Sequence, residues 1–148
     1  MALFQKISFV RASTGGVGAT SDHVSDWVDW ATFGGVLFQV HMASVGTATS
    51  LTLHVEQSPD QVAVSRLPGS IAWVPDGASY PASMLVADVF RPDGSLGRYL
   101  RVVLERSDTD SEVASILALR YAATAEPTSH AVGAVLADGT LISPEVTT

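Results

Sequence analysis

The chain has 148 residues, which suits one domain, and only 16% of them are charged against about 25% in an ordinary soluble domain. Eight basic and fifteen acidic residues leave a net charge of −7, which argues against nonspecific nucleic-acid binding, since that needs a surplus of Lys and Arg. The absence of cysteine excludes disulfides and thiolate metal sites, and no run of about 18 apolar residues is present to span a membrane.

In chain order, Met1 to Lys6 carries no basic region ahead of an apolar run, so no signal peptide is read there. Residues 3–12 alternate, with Ile7 and Phe9 on one face and Lys6 and Ser8 on the other, which predicts a strand. Gly15, Gly16 and Gly18 then make a loop, because so many glycines lose too much backbone entropy in a regular element. After Asp26-Trp27-Val28-Asp29-Trp30, residues 36–43 form an unbroken run rich in branched and aromatic side chains and predict a central strand. Residues 50–57 alternate most cleanly, with Leu51, Leu53 and Val55 inward and Thr52, His54 and Glu56 outward. These two strands read as a β-hairpin.

The middle, 58–83, holds Pro59, Pro68, Pro75 and Pro81, which cannot donate to a sheet ladder. Only short or edge strands fit, around 62–64 and 71–74, with Trp73 anchoring the stretch to the core. Residues 84–90 and 98–106 predict two more strands, separated by the turn signal Arg91-Pro92-Asp93-Gly94. Residues 112–123 fit a helical stripe through Val113, Ile116, Leu117, Arg120 and Tyr121, and equally a strand face through Val113, Ser115, Leu117, Leu119 and Tyr121. The turns before this segment favour the strand. Beyond a linker at Glu126-Pro127, a short hairpin is expected around Asp138-Gly139, followed by a small polar tail.

The expectation is an all-β, single-domain sandwich or jelly-roll-like barrel of about eight strands. Residues 1–124 make the domain with an N-terminal arm, and 125–148 a C-terminal extension. The arm, residues 1–14, is expected to pair with a sheet edge of a neighbouring chain or with the larger assembly that the chain joins, since its alternation suits strand addition. With so few charges, the surface reads either as that of an Ala- and Val-rich monomer or as one partly covered by other subunits.

No catalytic pattern emerges. His23, His41, His54 and His130 lack ligand spacing, although His41 and His54 fall on the two strands of the expected hairpin. Asp22, Asp26 and Asp29 lack the ligand rhythm of a calcium loop. The glycine loop has no following Lys-Ser/Thr, and no Gly-x-Ser-x-Gly elbow is present. The chain is therefore read as a non-enzyme without a cofactor. Trp27 and Trp30 read either as a platform for sugar rings or as core or subunit contacts. Arg91, Arg98 and Arg101 read either as charged contacts, since a guanidinium can grip a neighbour's carboxylate with two bonds, or as solvated residues of a strand face.

Several strings resemble small virion proteins of tailed bacteriophages. They are Phe4-Gln5-Lys6-Ile7-Ser8-Phe9-Val10-Arg11-Ala12-Ser13-Thr14-Gly15, Gly35-Val36-Leu37-Phe38-Gln39-Val40, and Asp88-Val89-Phe90-Arg91-Pro92 with Arg98-Tyr99-Leu100-Arg101. Such proteins are similar to capsid decoration, or cement, proteins. The resemblance implies a β-rich protein made in the host cytoplasm that sits on the outer surface of the capsid as a homo-oligomer, a trimer. It would bridge subunits of the major capsid protein, with no nucleic-acid or membrane partner. Phe4, Lys6, Arg11, Trp27, Trp30, Arg91, Arg98 and Arg101 are the interface residues expected on this reading. A head–tail connector or tail protein, and a glycan- or receptor-binding module, are the alternatives.

Overall fold

Apolar side chains at every second position build two antiparallel sheets over one shared core. The computed structural model describes residues 7–13, 15, 22–90, 97–107 and 111–123. Among these there is no helix. The strands are β1 (Ser8–Ser13), β2 (His23–Val24), β3 (Val28–Asp29), β4 (Phe33–Val45), β5 (Leu51–Ser58), β6 (Ser65–Arg66), β7 (Ile71–Trp73), β8 (Ser83–Phe90), β9 (Tyr99–Arg106) and β10 (Ser111–Ala123).

Sheet A has the order β1-β10-β4-β8, and sheet B the order β2-β9-β5-β6, with β3 also on β9 and β7 also on β5. Two interruptions explain why ten strands behave as eight. β2 and β3 both lie along β9, His23 opposite Leu104 and Asp29 opposite Tyr99. Between them Ser25 bonds Val102 twice: its amide donates to the Val102 carbonyl at 3.0 Å, and its Oγ accepts from the Val102 amide at 3.0 Å. Likewise β6 and β7 both lie along β5. Four strand paths per sheet result. The long strands β4, β5, β8, β9 and β10 alternate between the sheets, which is the winding of a jelly roll. The two sheets stay separate and do not close into a barrel.

That winding corrects the expected hairpin. β4 lies between β10 and β8 in sheet A, whereas β5 lies in sheet B, so 36–43 and 50–57 face each other across the core instead of pairing. His41 and His54 are accordingly on different sheets. β8 and β9 are also in different sheets. Residues 112–123 do form a strand, central in sheet A. The proline-rich middle yields the two short strands β6 and β7, the first shifted a few residues from 62–64. The arm is corrected in part, because Ser8–Ser13 pairs with β10 of the same chain, Phe9 opposite Leu119 and Arg11 opposite Leu117. Residues 1–6, the expected turn at 91–94 and the 125–148 extension lie outside the described residues.

The core is filled by Val36, Phe38 and Val40 of β4, Leu51 and Leu53 of β5, Leu100, Val102 and Leu104 of β9, and Ile116 and Ala118 of β10. Each large side chain removed from water here contributes about 1.5–3 kcal/mol. Trp30 is fully buried, and its Nε1–H donates to the Gly97 carbonyl at 2.6 Å, so its one polar atom is satisfied. Arg120 reaches between the sheets, donating to the Asp29 carbonyl at 3.0 Å and to Ser8 Oγ at 2.6 Å. Its guanidinium lies 4.8 Å from the Phe33 ring centre. Burial lowers its pKa, and the charge is held by these donated bonds.

Candidate interaction surfaces

The outer face of sheet B gathers the charged side chains. Since Leu51, Leu53 and Val55 point inward, Thr52, His54 and Glu56 point out, and β9 places Tyr99, Arg101 and Glu105 beside them. Glu56 stands directly opposite Arg101. Arg101 Nε donates to Glu56 Oε1 at 2.8 Å, and its guanidinium lies 4.3 Å from the Trp27 ring centre. Arg98 donates from Nη2 and Nε to Asp29 Oδ2 at 2.7 and 3.1 Å. The Arg98 hydrogen bond holds the Asp29 carboxyl below the usual carboxylate range, and Asp29 in turn raises Arg98. His54 is buried, with Nδ1 at 3.4 Å from Glu105 and Nε2 at 3.9 Å from Glu56. Arg98, Arg101, Asp29 and Glu56 are thus paired within the chain, whereas Arg66, opposite Glu56 on β6, is exposed and has no ion pair among the described residues.

This arrangement places four of the eight expected contact residues. Arg98 and Arg101 grip carboxylates of their own chain, 69 and 45 residues away in sequence. Trp27 is capped by Arg101 and Trp30 belongs to the core, so the two tryptophans form no joint platform. Arg11 is exposed on β1, and its side chain makes no hydrogen bond or ion pair among the described residues. Phe4, Lys6 and Arg91 lie outside the described residues.

One Ser–His contact is present. Ser13 Oγ and His23 Nε2 are 2.8 Å apart, and the Gly15 amide donates to the same Oγ at 3.2 Å. Burial, and then the nearby Arg106, lower the His23 pKa and keep the ring neutral. Among the described residues no carboxylate orients this imidazole, as a nucleophile–base pair needs. The contact joins β1 to β2, and so fastens one sheet to the other.

The outer face of sheet A is different. One row across it reads Phe9, Leu119, Leu37, Asp88, and the next Arg11, Leu117, Gln39, Val86. Beside them Tyr121 lies over Gly35, where a Cβ would come within 2.1 Å of its ring. Gly35 therefore gives that ring the room to lie against the sheet. The Tyr121 hydroxyl donates to Asp88, and Phe90 stacks parallel to the Tyr121 ring with centres 6.5 Å apart. Burial, then the Asp88 bond, push the Tyr121 phenol up to about 12. On β8, Met84, Val86 and Phe90 are 50%, 39% and 58% exposed, which is unusual for three large apolar side chains on one strand face.

A second apolar area follows the seam between the sheets, where β8 faces β7. A groove of about 380 Å³ runs there between Leu51, Ile71, Trp73, Tyr80 and Leu85. Trp73 meets Tyr80 edge-on at 5.4 Å and anchors the proline-rich stretch, as expected from sequence. Sequence reasoning missed both apolar areas. The signal was the run Met84-Leu85-Val86-Ala87, apolar at odd and even positions alike. Such a strand has no polar face to give to water, yet a two-layer fold covers only one of its faces.

No protein-family model matches the chain, and no curated protein matches it. The fold is an all-β jelly roll whose two outer faces differ, one carrying ion pairs within the chain and the other mostly apolar.

Proposed function

We propose that this chain is a structural virion protein that decorates the outside of a tailed-phage capsid and stabilises it by bridging major capsid protein subunits. The observation that carries the reading is the presence of two apolar areas, the outer face of sheet A and the β7–β8 seam, on a chain of low charge. A bridging protein needs at least two contact areas, one for copies of itself and one for the capsid. The jelly roll also recurs in viral capsid and lectin domains. Homo-oligomerisation would then multiply each weak capsid contact, because later contacts become intramolecular.

The test is to add the purified chain to capsids that lack it and to follow co-sedimentation and heat stability. Saturable binding over the whole shell, with a raised temperature of capsid disruption, is the expected result. Binding confined to one vertex would favour the head–tail connector instead. No binding, or binding abolished by free glycans, would overturn the decoration reading.

A further inference from the structure

We propose that the outer face of sheet A is where a second copy of this chain docks, the two sheets packing face to face about a twofold axis parallel to their strands. The inference goes beyond the decoration reading, because it assigns the self-contact to one face and one geometry.

Three observations support it. First, the face is mostly apolar where a solvated sheet face would be polar: Leu37, Val86, Phe90, Leu117, Leu119 and Tyr121 point outward and none belongs to the core cluster, while Gln39 and His41 bond each other. Second, the area suits. Four strands about 4.8 Å apart and eight residues long at about 3.3 Å each make a face of roughly 500 Å² in projection. Side-chain relief brings this toward the about 800 Å² per partner of a standard interface. Third, the charges suit a copy. Two chains of net charge −7 repel through most of their surfaces. The two central rows of this face carry one cation, Arg11, and one anion, Asp88, and these sit on the opposite edge strands β1 and β8.

A twofold axis along the strands lays β1 of one copy over β8 of the other. Arg11, which has no ion pair among the described residues, then reaches Asp88 of the other copy, and the pair forms twice. The offset between them is one outward row, about 7 Å along the strand, within reach of an arginine.

The experiment is sedimentation velocity on the full chain across a range of concentrations, with circular dichroism confirming the fold of each variant. The wild-type chain is expected to reach twice its 15.5 kDa. Leu119→Lys is expected to abolish the pair. Arg11→Asp alone and Asp88→Arg alone should each weaken it about tenfold, through like charges in both contacts. An equimolar mixture of these two variants should recover wild-type association, because both contacts become opposite in sign again. A wild-type monomer at every concentration would overturn the proposal. So would a trimer or other oligomer insensitive to these substitutions, or a mixture no tighter than its components. Capsid co-sedimentation of the same samples separates the two readings. A monomer that still saturates capsids removes the pairing and leaves decoration standing, whereas a pair that ignores capsids does the reverse.

Discussion

The two outer faces of this sandwich are each four strand paths wide and differ in chemistry. On sheet B, Arg98, Arg101, Glu56 and Asp29 are all charged and all paired within the chain. On sheet A, Leu37, Leu117, Leu119 and Val86 have nothing polar to pair, and the one cation, Arg11, has no ion pair among the described residues. A face whose charges are satisfied internally gains little from a partner, since docking would only desolvate pairs already made. A face of apolar side chains gains about 25 cal/mol for each Å² that a partner covers. Density of charge is thus a poor guide to where a chain binds. What matters is which groups lack partners.

The largest effect expected from breaking this comparison is at Trp30. If it is core, Trp30→Ala should cost about 3–5 kcal/mol in a denaturant titration. Trp27→Ala, on the charge-paired face, should cost only about 0.5–1 kcal/mol through the lost arginine contact. Similar losses at both positions would contradict the distinction between them.

Next comes Arg101. Arg101→Gln removes the Glu56 bond and the contact with Trp27, and should lower stability by about 1 kcal/mol while leaving association unchanged. Weakened association at unchanged stability would show that sheet B also meets a partner.

A smaller effect on stability, with a clear spectroscopic sign, is expected at Gly35. Gly35→Ala drives the Tyr121 ring off the sheet, because the added Cβ occupies its place. The phenol loses its buried site and its bond to Asp88. Its titration, followed by ultraviolet difference absorbance, should move from about 12 back toward the ordinary tyrosine value of about 10. An unmoved titration would mean that the ring does not rest on Gly35.

The smallest effect is electrostatic, at the junction between the sheets. The fold lowers the His23 pKa, so the unfolded chain binds the extra proton first as the solution is acidified. The contribution of His23 is therefore present above its unfolded value of about 6.5 and is lost as pH falls through the folded value. His23→Gln should flatten the dependence of stability on pH in that window, and an unchanged profile would remove His23 from the account.

Strand positions were largely legible in the sequence, because alternation at Leu51, Leu53 and Val55 records which side of a strand meets the core. In 112–123 the expected face was split, since register shifts between Glu112 and Ser115 leave Val113 in the core while Leu117, Leu119 and Tyr121 turn outward and Ile116 and Ala118 fill the core instead. Pairing was not legible. Nothing local in residues 45–50 says that the chain crosses to the other sheet instead of turning back, and so β4 and β5 read as a hairpin. The strand identity of 112–123 could be settled only by its neighbours, β1 and β4, both distant in sequence. The partners of Arg98 and Arg101 were not legible for a similar reason, since Asp29 and Glu56 approach them only once β3 and β5 lie on β9. The apolar face of sheet A was in principle visible in Met84-Leu85-Val86-Ala87. Recognising it required knowing that only two layers exist to cover such a strand.

The most direct test is hydroxyl-radical footprinting of the wild-type chain, first dilute and alone, then bound to capsids. Leu117, Leu119, Val86 and Phe90 on sheet A should become protected on assembly, while Trp27 and Tyr99 on sheet B keep their reactivity. Protection of Trp27 and Tyr99 with sheet A still reactive would contradict the account.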